Sequence, residues 1–383
     1  MTVEASEPST PTQTRPFISI VMPCLNESAS VATCVSKATG WLARSGYQGE
    51  VVVVDNGSTD GSPELASQAG ARVVFEPVRG YGSALRRGFR EAKGDWLVMG
   101  DCDDTYEFGD LDALVAPLDS GADMSIGNRF AGGIAPGAMT WSHRYIGTPA
   151  ISLLLRVFTG LRVGDSQCGL RAFTRDALDR LALNTDGMEL ASEMILKAAR
   201  RGLVVADIPV PYAERLGEAK LNTFRDGWRH LRFLVLASPN YLFTGPGVLL
   251  TLLGLIILIA AIPSSRIEVG SWTWQPVFAG SIFVVVGINA LMLGFASRLY
   301  TSAVGLTNED ALMRFYKRYL SLEFFVVGGI VLIAAGFALD VVLLIVDPGH
   351  LNIGIAAIAQ TLIVVGANAG LVGALTSLLD DRR

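Results

Sequence analysis

The sequence predicts two domains of different class: an α/β domain built on a doubly wound, mainly parallel sheet over residues 16–221, and an all-α membrane domain of four transmembrane helices over residues 241–383. Three observations carry this. Apolar runs of strand length alternate with helix-length segments in the first half. Four apolar stretches, each near the ~20 residues needed to cross a bilayer, fill the second half. Half of the 383 residues are hydrophobic and only 17% are charged, too oily a balance for an ordinary soluble protein.

Taken in order, residues 1–15 are rich in Ser, Thr, Pro and Glu and lack an apolar core, so they read as a disordered tail, neither signal peptide nor anchor. From Phe17 the runs FISIVMP, EVVVVDN, ARVVFEP, DWLVMGD and ADMSIGN are continuously apolar, as expected of strands covered by helices on both faces. Between them stand SVATCVSKATGWLARSG and GSALRRGFREAKG, both of helix length. The formal charge of −5 lacks the basic balance of a nucleic-acid binder, so no nucleic-acid partner is expected. The cysteines Cys24, Cys34, Cys102 and Cys168 show neither CxxC nor zinc-ligand spacing and read as reduced, cytosolic thiols.

Residues 222–240 place Phe224, Trp228, Leu231 and Val235 on one helical face and Arg225, Arg229 and Arg232 on the other. This predicts an amphipathic helix in the membrane interface, although an ordinary packing helix shows the same spacing. The spans come next, at about 241–262, 276–298, 321–346 and 353–379. Arg225, Arg229, Arg232, Arg298, Arg314, Lys317, Arg318, Arg382 and Arg383 fall on one side of the membrane and Arg266 alone on the other. The excess puts both termini and the α/β domain in the cytosol and the turns Ser264–Pro276 and Asp347–Asn352 outside, with Trp272 and Trp274 in an outer aromatic belt. Asp340, Asn289 and Asn368 lie within spans and read as helix-packing polarity, or as positions near the outer interface, rather than a pathway.

The chemistry concentrates in GDWLVMGDCDDTYEF, residues 94–108, where a strand-like run ends in Asp101, Asp103 and Asp104. Residues two apart on extended chain point the same way, so Asp101 and Asp103 can offer two carboxylates to one point. That suits Mg2+ or Mn2+ shared with a diphosphate, while an acid-rich turn explains the same string equally well. DCDDT also matches the DxDxT string of haloacid-dehalogenase-like phosphatases, but that motif usually comes after the first strand of its domain and here at least three strand-like runs precede it. VMPCLNE and VVVVDNGSTDGS end strands in small and polar groups where doubly wound sheets bind ligands. Glu27, Asp55 and Asn56 can there hydrogen-bond a base or ribose. RGYGSALRRG, residues 79–88, opens a helix with small residues, a modest phosphate signal.

Together, P-x-x-N-E at 23–27, V-D-N-G-S-T-D at 54–60, G-x-G-x-A at 80–84 and D-x-D at 101–103 resemble family 2 glycosyltransferases of the GT-A fold, in their dolichol-phosphate mannose synthase-like, polyprenyl-phosphate-dependent branch. The resemblance covers roughly Phe17–Leu221. It implies a nucleotide-diphosphate sugar donor, a polyprenyl phosphate acceptor, a Mg2+ or Mn2+ cofactor and the lipid bilayer as partner, with a homo-oligomer compatible.

By that resemblance Asp103, Arg129, Arg144 and Arg215 form the catalytic set. Pro23, Asn26, Glu27, Asp55, Gly80, Asp101, Arg215 and Lys220 bind the donor. Arg129, His143 and Arg144 hold the acceptor phosphate. Asp101 and Asp103 hold the metal. The chain departs from the D-A-D-L-Q pattern, with Asp104 at the Leu position and Thr105 at the Gln position, so the third ligand stays open, Thr105 being the candidate. Asn56 replaces an Asp of the pattern and leaves base preference open. Arg171 reads equally as a surface ion pair. Glu189 and Glu193 are placed to meet sugar hydroxyls, Glu189 preferred, and a plain helix-surface role fits either.

The expected reaction is an inverting transfer of a hexose, mannose or glucose, to a dolichyl or undecaprenyl-type phosphate at the cytosolic membrane face. A processive polysaccharide synthase shares the front motifs, but the chain has no QxxRW-type string and its spans all lie after the catalytic domain. A membrane-anchored haloacid-type phosphatase and a degenerate membrane scaffold complete the alternatives.

Overall fold

The computed structural model describes residues 15–217, 227–228, 231–234, 240–262, 267–269, 272–303, 314, 318–319, 322–346 and 352–380. The chain divides into two compact units between Leu231 and Arg232.

The first unit is built on a seven-stranded sheet in the order β3-β2-β1-β4-β6-β5-β7. Its strands are β1 (Ile18–Cys24), β2 (Gly49–Asp55), β3 (Arg72–Phe75), β4 (Trp96–Met99), β5 (Met124–Asn128), β6 (Arg171–Thr174) and β7 (Val205–Pro209). The first five fall on the five predicted runs. Val51 to Val54 are all buried, which is why β2 reads as an unbroken apolar run rather than an alternating one. Helix α1 (Val31–Ser45) buries Val31, Cys34, Val35, Ala38 and Trp41 along one stripe and ends at Gly46 in the left-handed conformation, a common helix stop. Helices α2 (Ser62–Gln68), α3 (Tyr81–Glu91), α4 (Asp112–Asp119), α5 (Arg129–Gly132), α6 (Thr148–Thr159), α7 (Arg175–Leu181) and α8 (Leu190–Arg200) connect the strands.

Two features add to the mainly parallel sheet that the sequence predicts. Two strands are additional, and one of them, β6, pairs antiparallel with both β4 and β5. The sheet is therefore mixed. Both strands are short, β6 carries a fully buried arginine, and β7 is half-exposed and ends in proline. Neither makes the continuous apolar run by which a covered strand is recognised.

The second unit holds four helices of membrane-spanning length and hydropathy, at Gly245–Ala260, Pro276–Ala303, Leu322–Val346 and Ile353–Asp380. A π-helical turn, Asn240–Thr244, enters the first. An antiparallel hairpin of β8 (Ile267–Val269) and β9 (Trp272–Trp274) stands between the first and second. The spans pack closely in sequential pairs. A Cβ on Gly254 would lie 2.7 Å from the Gly280 carbonyl, and one on Gly329 would lie 2.5 Å from that of Gly366. Small residues thus let helix backbones touch where lipid supplies no hydrophobic drive. Asp340 has a polar neighbour, for Gln360 Nε2 donates to its Oδ2 at 2.6 Å, which fits the helix-packing reading. Of the predicted interfacial helix, residues 227–228 and 231–234 are helical with Trp228 and Leu231 exposed. Phe224, Arg225, Arg229 and Val235 lie outside the described residues.

Candidate active site

The acidic loop leaves β4 at its carboxyl end, beside β1, the edge at which doubly wound sheets place ligands. It is clamped from several sides. Ser30 Oγ donates to the Cys102 carbonyl at 2.7 Å, and Cys102 Sγ reaches the Pro23 carbonyl at 3.0 Å. A strap leaving β7 closes over it, with Ala213 N donating to the Thr105 carbonyl and Leu216 N to that of Asp103, both at 3.0 Å. The strap is tied in turn to the loop after α5, Tyr212 N donating to the Gly133 carbonyl and Ala135 N to that of Tyr212.

The strap delivers Arg215. Its Nη2 lies 3.0 Å from Glu27 Oε1 and 3.5 Å from Asp103 Oδ2. Its Nε is buried and has no hydrogen-bond partner among the described residues, a donor suited to an anion. Glu27, Asp101, Asp103 and Arg215 are thus brought together from β1, β4 and the strap. Burial pushes the Asp101 carboxyl up to about 7, and the charge of Asp103 adds to the rise. Carboxylates this close resist joint ionisation unless a cation stands between them.

Among the described residues, no cluster of three or more His, Cys, Asp or Glu side chains makes a complete metal cage. Asp101 and Asp103 fit a hard divalent cation that draws the rest of its shell from a diphosphate and water. Of the third-ligand candidates, Asp104, in the left-handed conformation with φ 63°, turns to Lys37 Nζ at 2.8 Å, and Thr105 Oγ1 donates to Asp103 Oδ1 at 2.6 Å, which orients that carboxylate.

Other predicted residues take structural parts. Arg129 is buried and closes its guanidinium fork on Asp165, Nε to Oδ2 at 2.6 Å and Nη2 to Oδ1 at 3.0 Å, with its charge 4.9 Å from the Tyr212 ring centre. That pairing fixes the guanidinium beside the acidic loop, where its charge also reaches Asp101. Gly80 stands immediately before α3. The first amides of α3, Gly82 N and Ser83 N, donate to the Asp186 carbonyl at 2.8 and 3.2 Å, so the helix start does not offer them to a phosphate. Arg171 is wholly buried and donates to the carbonyls of Cys168, Ala191 and Ser166, neither a surface pair nor a ligand.

Asn26 and Asp55 shape the neighbouring turns. Asn26 Oδ1 accepts from Thr59 N at 2.8 Å, and Asp55 Oδ2 accepts from Gly57 N at 2.9 Å. Asn56 spans Glu76, Val78 and Gly80, donating to the carbonyls of the first two and accepting from the amide of the third. Glu193 is buried against Lys197 and the Asn184–Thr185 amides, whereas Glu189 Oε2 is buried without a partner among the described residues. Lys220 lies outside the described residues.

His143 and Arg144 stand half-exposed on a π-helical turn, His143–Gly147, just before α6. Around them Trp141, Tyr145, Ile146, Leu153 and Val157 are exposed, an apolar face at four-residue spacing. Tyr81, Tyr106, Asp165 and Gly169 also build the site and carried no separate signal in the sequence. Tyr106 Oη accepts from Gly169 N at 2.8 Å, and Tyr81 Oη donates to Asp101 Oδ1 at 2.9 Å.

A mixed sheet with a twin-carboxylate loop where β1 meets β4, carried on a chain with four membrane-length helices, is a GT-A-like arrangement. The model of the family "Glycosyl transferase family 2" matches residues 19–182. The low-salt glycan biosynthesis hexosyltransferase Agl6 of Haloferax volcanii is 37% identical over 326 residues, covering 84% of this chain and 78% of that protein. The dolichyl-phosphate hexose transferase of the same organism is 34% identical over 214 residues, 55% of this chain and 89% of that protein. Among solved structures, glucosyl-3-phosphoglycerate synthase from Mycobacterium tuberculosis, in complex with Mn2+, uridine diphosphate and glucosyl-3-phosphoglycerate, aligns with a TM-score of 0.47 at 24% identity, over 57% of this chain and 79% of that one. The chain belongs to glycosyltransferase family 2 and is a glycosyltransferase.

Proposed function

We propose that the protein transfers a hexose, mannose or glucose, from a nucleotide-diphosphate sugar to a polyprenyl phosphate at the cytosolic face of the cell membrane. The observation that carries this reading is the meeting of Asp101 and Asp103 with Arg215, whose buried Nε lacks a partner among the described residues, in a chain with four membrane-length helices. The similarity to a dolichyl-phosphate hexose transferase supports the acceptor class.

Asp101 and Asp103 would hold Mg2+ or Mn2+, which when bound neutralises charge on the leaving diphosphate. Arg215 moves its fork from Glu27 and Asp103 onto diphosphate oxygens, where two N–H groups outmatch a point charge. The acceptor needs no general base: a phosphate monoester with a second pKa near ~6 is largely ionised at neutral pH and attacks the anomeric carbon itself. Catalysis is then positional and electrostatic, and a single displacement inverts the donor's anomeric configuration. Arg144 and His143 receive the acceptor phosphate. The exposed face of Trp141, Tyr145, Leu153 and Val157 rests in the headgroup region, where a long isoprenoid presents its phosphate.

The test incubates the purified protein, Mg2+ or Mn2+ and a short polyprenyl phosphate with radiolabelled sugar nucleotides, and tracks label into the organic phase. Transfer from one donor, lost with chelator and in Asp103→Ala, is the expected result. Hydrolysis of a simple phosphate ester without lipid labelling would overturn the reading.

A further inference from the structure

The G-x-G-x-A string of Gly80–Ala84 is left without a ligand role by the capping of α3, yet its second residue reaches the heart of the site. We propose that Tyr81 is a positioning residue for the metal ligand Asp101, holding one carboxylate oxygen so that the other is presented to the cation. The inference rests on the proposed reading of Asp101 and Asp103 as metal ligands.

Contacts of Asp101 and of the residues flanking Tyr81 carry it. The Tyr81 phenol donates to Asp101 Oδ1 at 2.9 Å. The other oxygen, Oδ2, packs against Gly169, where an added Cβ would come within 2.5 Å of it, so a side chain at that position would crowd the carboxylate. Tyr81 is fixed from both flanks. On one, Gly80 donates its amide to Asn56 Oδ1 at 2.8 Å and has φ 152°, with no room for a Cβ beside the Asp186 carbonyl. On the other, Gly82 N and Ser83 N are held by that same carbonyl.

The glycines of the string therefore serve the residue between them. They let α3 begin against the 185–187 loop at the distance from which a phenol spans to Asp101. A carboxylate free to rotate loses entropy on binding a cation and can adopt wrong denticity. A neutral donor on one oxygen fixes its plane without competing for charge. Partners of this kind typically shift metal affinity by about 10–100-fold.

The experiment titrates Mn2+ into the full-length protein in detergent and reads free Mn2+ by electron paramagnetic resonance, without acceptor, for the parent, Tyr81→Phe, Asp101→Asn and the double variant. Melting curves accompany each titration. Tyr81→Phe removes one oxygen and keeps the ring, and should weaken Mn2+ binding about 10-fold. The Mn2+ concentration for half-maximal transfer should rise by the same factor, with kcat restored at saturating Mn2+. In the Asp101→Asn background the Tyr81→Phe change should have no further effect, the signature of action through Asp101. A Tyr81→Phe protein with parental Mn2+ affinity, or a further loss in that background, overturns the inference and leaves the metal reading standing. A parent that binds no Mn2+ overturns both.

Discussion

At the site of the α/β unit two tight contacts set functional side chains: Gly169 borders the Asp101 carboxylate, and the 2.6 Å Thr105 hydroxyl contact turns Asp103. In the membrane unit Gly254 against Gly280 and Gly329 against Gly366 bring two backbones together. The same economy of side chains has two purposes because the two solvents ask different things. Against water, close packing must leave every buried polar group a partner or a ligand. In lipid the helices satisfy their own amides, and dispersion contact between them does the holding. Chemistry should therefore be lost by changes that barely touch stability in the first unit, and stability by changes that barely touch chemistry in the second.

The largest effect expected is from Asp103→Ala, a loss of transfer of roughly 10^3-fold together with Mn2+ binding, at unchanged melting temperature. A marked fall in melting temperature would break the comparison. Arg215→Lys keeps the charge and removes the fork and the orphan Nε, so kcat/KM for the donor should fall about 10^2-fold.

On the other side, Gly329→Leu overpacks the contact with Gly366 and should destabilise the membrane unit by about 2 kcal/mol, read by thermal denaturation in detergent. Mn2+ affinity should stay parental. A smaller effect is expected of Lys37→Ala, which frees Asp104 from a partly exposed ion pair and should lower stability by at most ~1 kcal/mol, with donor KM little changed.

The weakest expected effect is alkaline. Burial pushes the Cys34 thiol up to about 12 and that of Cys168 to about 11, from an ordinary value of 9.0. The folded chain therefore keeps protons that the unfolded chain releases. The stability this confers is full below pH 9.0 and is lost as pH rises through the folded values. Denaturant melts across that window should weaken the first unit; the second half of the chain contains no cysteine.

Legibility respected the same divide. The five strand runs and four spans were readable because each is a continuous apolar stretch, which β3 keeps although it lies at the sheet edge with Phe75 exposed. β6 and β7 were not, since a strand that buries an arginine against three carbonyls carries no apolar signature. In the site, the spacing of Asp101 and Asp103 suggested a cation but fitted an acid-rich turn as well, and the resemblance carried the assignment. The partner that occupies Arg129 stands at Asp165, and the arginine beside Glu27 arrives from position 215. Pairings that long in sequence are decided by topology. Tyr81 was hidden differently, inside a motif whose glycines resemble a phosphate cradle.

The antiparallel course of β6 has an evolutionary consequence. Its neighbours β4 and β5 bring their downstream loops to the reactive edge, whereas β6, running backwards, brings its upstream loop, the Asp165–Leu170 segment. Drift in this one entry loop therefore reaches the metal-binding carboxylate, through the Gly169 contact with Asp101, even where every exit loop keeps its wording.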